Sequence, residues 1–169
     1  EVISEQFNQQ QLIIAKSVSS FMEEKFAFIQ NELHTLNLSP SIQYLEVSWP
    51  NRMQITMANV KPYGVVEIGL VVPDGETGKI FRLDRQGRQR VSRVKLQELP
   101  FFQWAQDPGH KNQFFIDNTS LDLQDNAEDS HLLLAIPTYQ VSVDESHPRA
   151  QGNLIGVLYF LLDPFSLAQ

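Results

Sequence analysis

The first 39 residues carry two rows of apolar side chains at helical spacing, on a stretch that contains no glycine and no proline. One row repeats every seven residues and consists of Phe7, Ile14, Phe21 and Phe28. The other row advances by three or four residues at each step and consists of Leu12, Ala15, Val18, Met22, Phe26, Ile29, Leu33 and Leu36. This spacing predicts one long α-helix over residues 1–39.

The two rows point in different directions around this helix. Phe21 and Met22 are adjacent in the sequence, and adjacent residues lie about 100° apart around an α-helix. We therefore expect the row of Met22 to pack on the chain's own core and the row of Phe21 to contact a second copy of the chain, which predicts a homodimer through the N-terminal helix. The alternative is a single broad apolar face on a core helix.

Beyond residue 39 the pattern changes twice. Residues 40–64 predict a short helix that Pro50 interrupts. From Val65 the apolar residues recur with a period of two, which predicts a strand that ends at the turn around Gly75. Residues 79–83 return from that turn as the second strand of a hairpin.

The rest of the chain predicts one further helix and three strands. The helix covers Leu96–Gln106, and the strands cover Gln113–Asn118, Leu132–Val141 and Leu154–Leu162, with an acidic loop at residues 122–130 between the first two strands. The last strand is apolar on both sides, so both of its faces must be covered, which predicts a central position in the sheet. We expect the first helix to cover one face of the sheet and the Leu96–Gln106 helix to cover the other.

Composition predicts a single domain over residues 1–169, because a chain that is 42% hydrophobic can bury one core at this length. The formal net charge of −7 argues against a nucleic-acid partner, since phosphate binding needs concentrated positive charge. Positive charge is nevertheless concentrated locally: seven of the 13 basic residues lie between Lys79 and Lys95, where Asp84 is the only acid. This cluster predicts either a solvated edge strand and loop or an attractive field for a small anion.

The sequence contains no motif for catalysis, for a metal or for a cofactor. The chain has no cysteine, which excludes disulfides and thiolate chemistry, and its four histidines lack partners at metal-ligand spacing. The Gly75–Lys79 segment departs from the phosphate-loop pattern and reads as a turn. Because no nucleophile and base can be paired either, we expect a protein that is not an enzyme and that needs neither metal nor cofactor.

Both ends of the sequence predict that the chain is a fragment of a longer protein. It begins at Glu1 rather than at a methionine, and Asp163 and Pro164 supply the N-cap and first turn of a helix for which only residues 164–169 remain. The longest apolar run, Leu154–Leu162, is well short of the ~20 residues that a membrane helix needs.

Three segments and the order of the predicted elements resemble the extracytoplasmic PAS-like sensor domains of the Cache (PDC) family. The segment Leu99-Pro100-Phe101-Phe102-Gln103-Trp104-Ala105 resembles the family's helix of Arg-Pro, two aromatic residues and a closing alanine. Leu132–Pro137 is similar to the fourth strand of the family, and Gln151–Leu158 is similar to its Gly-x-x-x-Gly closing strand. The resemblance covers nearly the whole chain.

The resemblance implies an α+β fold in which a long N-terminal helix packs on a five-stranded antiparallel PAS-like sheet over residues 65–163. It implies a ligand pocket between the sheet and the short helices, and a periplasmic or extracellular domain between two transmembrane helices of a receptor such as a histidine kinase, a chemoreceptor or a cyclic-dinucleotide enzyme. One position departs from the amino-acid-binding members, because Leu99 stands where they carry the arginine that clamps the ligand carboxylate.

The candidate ligand contacts are Arg90, Arg93, Phe102, Trp104, Asp117 and Tyr139. The two aromatic residues of the predicted helix would form apolar or stacking walls, and the aspartate and tyrosine would be polar contacts from facing strands. Either arginine would replace the missing one as a bidentate contact to an anionic ligand. The alternatives are ordinary core packing for the aromatic residues and solvent exposure for the arginines.

Two other classes of protein also fit the pattern. A cytosolic GAF-like regulatory or protein-docking domain combines long helices with an antiparallel sheet, and apolar flanking segments of about 20 residues would distinguish the sensor domain from it. A hydrolase or transferase is the third class, and it is disfavoured by the lack of a nucleophile and base.

Overall fold

The fold is an antiparallel β-sheet with helices packed on both of its faces. The computed structural model describes residues 23–119, 131–141 and 152–163. Helices α1 to α4 cover residues 23–37, Pro40–Gln43, Trp49–Val60 and Pro100–Ala105, with 3₁₀ turns at Lys61–Tyr63, Leu96–Glu98 and Pro108–His110. Strands β1 to β6 cover Val65–Asp74, Thr77–Asp84, Gln89–Lys95, Phe115–Thr119, His131–Tyr139 and Leu154–Leu162. Within these ranges, the helices are too short or too polar to cross a membrane.

Helix α1 confirms the predicted N-terminal helix over its described residues. Ile29, Leu33 and Leu36 are fully buried against the sheet, as predicted for their row. Phe28, from the other row, packs beside Tyr63 of the same chain with 4.9 Å between the ring centroids. The homodimer stays a prediction, because the earlier members of both rows lie outside the described residues. These members are Phe7, Ile14 and Phe21 in one row and Leu12, Ala15, Val18 and Met22 in the other.

Helices α2 and α3 correct the interpretation of Pro50. The sequence predicted that Pro50 interrupts a helix, but it lies in the first turn of α3, as Pro40 does in α2. A proline suits this position because a first-turn amide has no partner within its own helix. Pro50 therefore begins a helix instead of breaking one.

The sheet has six strands over the described residues, and the expectation of five is wrong. Their order is β3-β2-β1-β6-β5-β4, and every neighbouring pair is antiparallel. Strand β6 lies between β1 and β5, which confirms the central position predicted from its apolar sequence. The additional strand is β3, which pairs with β2 from Gln89 opposite Leu83 to Lys95 opposite Thr77.

Strand β3 was not counted in the predicted sheet because its side chains carry little hydrophobic signal, although a solvated edge strand was one of the two interpretations of the basic cluster. Val91 and Val94 are its only apolar residues, and most of its side chains are exposed. An edge strand needs a partner on one side only, and charged residues on it discourage pairing with other molecules. Backbone pairing with β2 therefore defines this strand, and the basic cluster of the sequence runs through β2, their connecting turn and β3.

The two faces of the sheet carry separate apolar clusters. The α1 face packs against α1, α2 and α3, and its buried strand residues include Ile68, Leu70, Leu83, Leu134, Ile136, Leu158, Phe160 and Leu162. The α4 face packs against the Leu96–Ala105 segment, and its buried strand residues are Val71, Ile80, Leu133, Ala135, Val157, Tyr159 and Leu161. Both faces are covered, as the sequence predicts.

The described α1 ends at a polar contact with β5. The side-chain amide of Asn37 donates a hydrogen bond to the Pro137 carbonyl oxygen at 3.1 Å, and the Thr138 hydroxyl donates to Asn37 Oδ1 at 2.6 Å. Both side chains are buried, so each polar atom needs a partner there. This contact fixes the C-terminal end of α1 at the end of β5.

Candidate functional site

The segment that covers the α4 face is a 3₁₀ turn followed by a helix, where the sequence predicted a single helix. Leu99 separates them with an extended backbone, at φ −111° and ψ 96°. A residue that precedes proline avoids the helical conformation, and Pro100 then opens α4. The Gln103 side-chain amide donates to the Leu96 carbonyl oxygen at 3.1 Å and holds the turn and the helix together.

The two candidate aromatic residues differ in their surroundings. Phe102 is 1% exposed and belongs to the apolar cluster of the α4 face. Trp104 is half-buried at the margin of that cluster, where its ring stacks on His110 with 4.1 Å between centroids and an angle of 8°. Phe115 of β4 supports the same indole ring, with 5.4 Å between centroids. Trp104 is therefore fixed by its neighbours while part of its surface stays open to solvent.

Asp117 and Tyr139 lie towards the same edge of the sheet but at different positions along the strands. Asp117 pairs across β4 and β5 with Leu133, and Tyr139 is the last residue of β5. Tyr139 lies six positions after Leu133, which corresponds to roughly 20 Å of extended strand. Lys111 places its Nζ 5.1 Å from the centroid of the Tyr139 ring. One small ligand cannot contact both Asp117 and Tyr139 across this distance.

Trp104 lies near the middle of this edge. Its neighbour Phe115 pairs with Ala135, two residues along β5 from the partner of Asp117. Its stacking partner His110 directly precedes Lys111, which reaches Tyr139. Trp104 therefore lies between the two polar candidates, with Phe115 on the side of Asp117 and with His110 and Lys111 on the side of Tyr139.

Arg90 and Arg93 extend to opposite faces of β3. Arg90 pairs with Arg82 and lies on the α4 face, where its Nη2 is 3.8 Å from Glu67 Oε1 and its side chain is 53% exposed. Arg93 is three positions further along and pairs with Lys79, so alternation along the strand places it on the α1 side. Strands β3 and β4 are opposite edges of the sheet. Arg90 therefore shares a face with Trp104 and Asp117 but is not beside them.

A buried polar network crosses the α4 face, and its central residues were not among the candidates. The Tyr159 hydroxyl donates to Glu67 Oε2 at 2.7 Å, and Arg82 donates to Glu67 Oε1 through Nη2 at 2.7 Å and Nε at 3.1 Å. Arg82 Nη1 also donates to the Ser92 hydroxyl at 3.3 Å. The side chains of Arg82 and Glu67 are only 4% and 6% exposed. The network links four strands that are neighbours in the sheet, in the order β6, β1, β2 and β3.

The Tyr159 hydroxyl is held in its protonated state. Burial, with the negative charge of Glu67, raises the pKa of Tyr159 well above its usual value. The protonated hydroxyl can then donate to the Glu67 carboxylate. Gly69 makes room for this arrangement, because a Cβ at that position would overlap the Tyr159 ring.

The sequence held a signal for this network. Glu67 interrupts the apolar first half of β1, and Arg82 lies between the apolar residues Phe81 and Leu83 of β2. A charged residue at an inward position of a strand predicts a buried partner of opposite charge.

Over the described residues, the His, Asp and Glu side chains form no group of three or more that could hold a metal ion.

Comparisons with known proteins identify the fold. No protein-family model and no curated protein matches the chain. The crystal structure of the ligand-binding domain of the Campylobacter jejuni chemoreceptor Tlp3 in complex with L-valine matches 98% of this chain, with a TM-score of 0.60 and 14% sequence identity. The chain has the fold of a chemoreceptor ligand-binding domain.

The extent of this match is unequal for the two chains. The alignment covers 63% of the Tlp3 chain, so the present chain spans less than two thirds of its length. At 14% identity the likeness is one of fold. It confirms, at that level, the resemblance to an extracytoplasmic PAS-like sensor domain.

Proposed function

We propose that this chain is the extracytoplasmic ligand-sensing domain of a membrane signalling receptor, and that it binds a small molecule on the α4 face. The observation that carries the proposal is the likeness of 98% of the chain to a chemoreceptor ligand-binding domain. That domain was crystallised with L-valine, which supports a small organic ligand for this fold. The comparison favours this function over a GAF-like cytosolic domain.

Trp104 is the residue around which we place the ligand. It combines a rigid aromatic surface with partial exposure, which suits stacking against an apolar or planar group. Either Asp117 or Tyr139 would add a polar contact beside the indole ring. Phe102 would support the site from within the apolar cluster of the α4 face. Recognition by Trp104 and one polar neighbour is the arrangement that the geometry favours.

The charge of the ligand is a separate part of the proposal. Leu99 is 2% exposed and offers no charge where amino-acid-binding relatives are expected to have an arginine. Arg90 is the candidate cation on the α4 face, but it lies on the edge strand opposite β4. An anionic ligand that used both Arg90 and Trp104 would have to extend across the sheet, so a compact ligand is more compatible with Trp104 alone.

The same proposal includes the context of the domain. The flanking transmembrane helices, the homodimer through the N-terminal helix and a histidine kinase as the output remain predictions. In this proposal ligand binding changes how the sheet packs on its terminal helices, and any kinase or cyclase activity lies in another part of the receptor. The domain itself acts by binding.

The test uses the two tryptophans of the chain as separate reporters. Trp104 lies on the α4 face, and Trp49 packs against Phe81 beside the α1 face at 5.4 Å between centroids. A thermal-shift panel of amino acids, small carboxylates, amines and sugars first identifies a stabilising compound. That compound is then titrated into Trp49→Phe, which retains Trp104, and into Trp104→Phe, which retains Trp49.

We expect the compound to change the fluorescence of Trp49→Phe and to leave that of Trp104→Phe nearly constant. Trp104→Leu should weaken binding up to about tenfold, as loss of one aromatic contact of about 0.5–1.5 kcal/mol predicts. A panel without any stabilising compound would contradict the proposed function. Equal responses from the two tryptophan variants would contradict the proposed position of the ligand.

A further inference from the structure

The chain enters and leaves the described fold at the same end of the sheet. The Asp163 amide, which follows β6, donates to the Gly64 carbonyl oxygen at 2.8 Å, and Val65 pairs with Leu162. Helix α1 brings Phe28 beside Tyr63 at this end and reaches Pro137 with Asn37 at the other. We call the end marked by Gly64 and Asp163 the terminal end of the domain.

The turn between β2 and β3 also lies at the terminal end. Asp84 at the end of β2 pairs with Glu67 near the start of β1, and the Arg85 amide donates to the Val66 carbonyl oxygen at 3.1 Å. The turn is well defined, since Asp84 Oδ1 accepts hydrogen bonds from the amides of Gln86 and Arg88 at 2.9 and 3.0 Å. Its position relative to the chain ends is therefore fixed by the sheet.

Exposed positive charge is concentrated on this turn. Arg85 and Arg88 are exposed, the latter with 78% of its side chain accessible, and Arg90 follows with 53%. Lys61 adds an exposed ammonium next to Gly64. The carboxylate within the turn, Asp84, is engaged with the turn amides and with Arg88 Nε at 3.2 Å. Four cations thus accompany the carboxylate of the turn. Two further carboxylates lie near: Asp163 is half-buried beside Gly64, and the buried Glu67 is paired with Arg82.

We propose that this basic turn, made of Arg85 and Arg88 and assisted by Arg90 and Lys61, contacts the headgroups of anionic phospholipids. The inference rests on the proposed function, because a domain carried by membrane segments at both chain ends must turn its terminal end towards the bilayer. Positive side chains near an anionic bilayer are attracted to it within about a Debye length. The turn lies at the β3 edge, whereas the exposed carboxylates of Glu23 and Glu24 belong to α1.

Tethering makes a weak contact of this kind effective. A domain already held at the membrane by its chain ends meets the lipid surface at high effective concentration, so a few arginines suffice to bias its orientation. Contact through the β2–β3 turn would tilt the β3 edge of the sheet towards the bilayer. The partner is therefore the lipid surface itself, with its phosphate groups as the recognised chemistry.

The chain has no cysteine, which allows a single label to be placed at will. Gln86→Cys labels the basic turn, where only the backbone amide of Gln86 contributes to the turn contacts described above. Glu76→Cys labels the β1–β2 turn, which lies at the opposite end of the sheet from the basic turn. Its neighbour Thr77 pairs with Asp74 there. A C-terminal hexahistidine tag tethers each labelled chain to vesicles that contain a nickel-chelating lipid and a quencher-labelled lipid.

We expect the dye at position 86 to be quenched several-fold more on phosphatidylcholine vesicles that contain phosphatidylglycerol than on vesicles of phosphatidylcholine alone. The dye at position 76 should show no such difference, and high salt should remove the difference at position 86 because it screens the charges. Equal quenching at both positions, or no effect of phosphatidylglycerol, would overturn the proposal. A response of the position-86 dye to inorganic phosphate without vesicles would also overturn it, in favour of a free-anion site.

A charge-matched pair of variants completes the test. Arg85→Glu with Arg88→Glu should reduce quenching at position 86 to the level seen on neutral vesicles. Arg93→Glu with Lys95→Glu makes the same change in net charge within the same cluster, but opposite Lys79 and Thr77 at the far end of the strands, and should leave the quenching unchanged. Equal loss in both variants would mean that net charge alone drives the contact, which overturns the assignment to the turn.

Two further measurements keep the outcomes separate. Arg85→Gln with Arg88→Gln avoids placing new carboxylates beside Asp84, so it tests the same charges if the glutamate variant unfolds. The ligand panel and tryptophan titrations are run on the untethered chain. A failed lipid test with a positive ligand titration therefore rejects the lipid contact alone, whereas a failed ligand panel rejects the sensing function.

Discussion

The two faces of the sheet are built on different principles. The α1 face buries aliphatic and aromatic strand residues under α1 and α3, whereas the α4 face encloses a charged and hydrogen-bonded network in its apolar cluster. Strand β6 shows the contrast within a few residues, since Leu158 and Phe160 enter the first face and Tyr159 enters the second. Complementary shape and neutral hydrogen bonds such as that between Asn37 and Thr138 specify the α1 face. The α4 face also requires that a buried charge keeps its partner.

This difference predicts unequal tolerance to substitution. Apolar groups of similar volume can replace one another in a core at modest cost, because the surrounding side chains adjust. A buried ion pair offers no such adjustment when one partner is removed, since the remaining charge has lost its compensation. Three changes are taken from the largest expected effect to the smallest. The first tests whether the two faces differ in this way, and the other two test the close packing and the hydrogen bonds of the α4 face.

Arg82→Met should have the largest effect. It leaves the Glu67 carboxylate buried without its arginine, for which we expect a loss of about 3–5 kcal/mol in the free energy of unfolding, measured by urea denaturation. Leu158→Met on the α1 face is the control and should cost less than about 1.5 kcal/mol. The double variant Glu67→Leu with Arg82→Met should be more stable than Arg82→Met alone. Equal costs for Arg82→Met and Leu158→Met would refute the distinction between the faces.

Gly69→Ala should have an intermediate effect. The added methyl group would overlap the Tyr159 ring, and we expect a loss of about 1–3 kcal/mol from overpacking. Gly78→Ala is the control on the same face. Its added methyl would meet a terminal methyl of Leu96 at 2.7 Å, which can rotate away, and the Val72 carbonyl oxygen at 3.2 Å, a much smaller overlap than that with the Tyr159 ring. Thermal unfolding of both variants gives the comparison. If Gly69→Ala were as stable as Gly78→Ala, the close packing of the ring on the backbone would be disproved.

Tyr159→Phe should have the smallest effect at neutral pH, about 1 kcal/mol. Glu67 Oε2 loses the hydrogen bond from the hydroxyl, but the charge of the carboxylate stays compensated by Arg82, which donates twice to Oε1. The effect should depend on pH. The pKa of Tyr159 is raised in the folded chain, so its contribution to stability is complete below the unfolded value of about 10 and declines as the pH rises above it. Urea denaturation of wild type and Tyr159→Phe should therefore show a difference that narrows above pH about 10. A constant difference up to strongly alkaline pH would argue against the raised pKa.

The elements with strong apolar periodicity were predicted correctly, and the polar edge was not. The sequence of Leu154–Leu162 predicts a central strand because both of its faces are apolar, and that strand lies between β1 and β5. The sequence of β3 has no comparable pattern, so its pairing with β2 was missed and the strand count was wrong. Pro50 was misread because the same residue can end a helix or begin one, and the choice depends on where the helix starts.

The candidate site followed the same division. Trp104 was chosen as a candidate from its place in an aromatic helix, and its position at the margin of the α4 face is compatible with that choice without testing it. The faces of Arg90 and Arg93 depend on alternation along a strand that the sequence had not identified. Glu67 and Tyr159 were not selected because they are 92 positions apart in the chain, and only the pairing of β1 with β6 brings them together.

Local patterning by itself determined the N-terminal helix over its described part, the β1–β2 hairpin, the central strand and the order of elements that resembles a sensor domain. These features depend on the spacing of neighbouring residues, which the sequence contains in full. The tertiary structure alone decided the sixth strand, the ion-pair network of the α4 face and the position of the basic turn beside the two chain ends. Each of these results from the register between strands that are distant in the chain, and register is fixed only when the whole sheet packs against its helices.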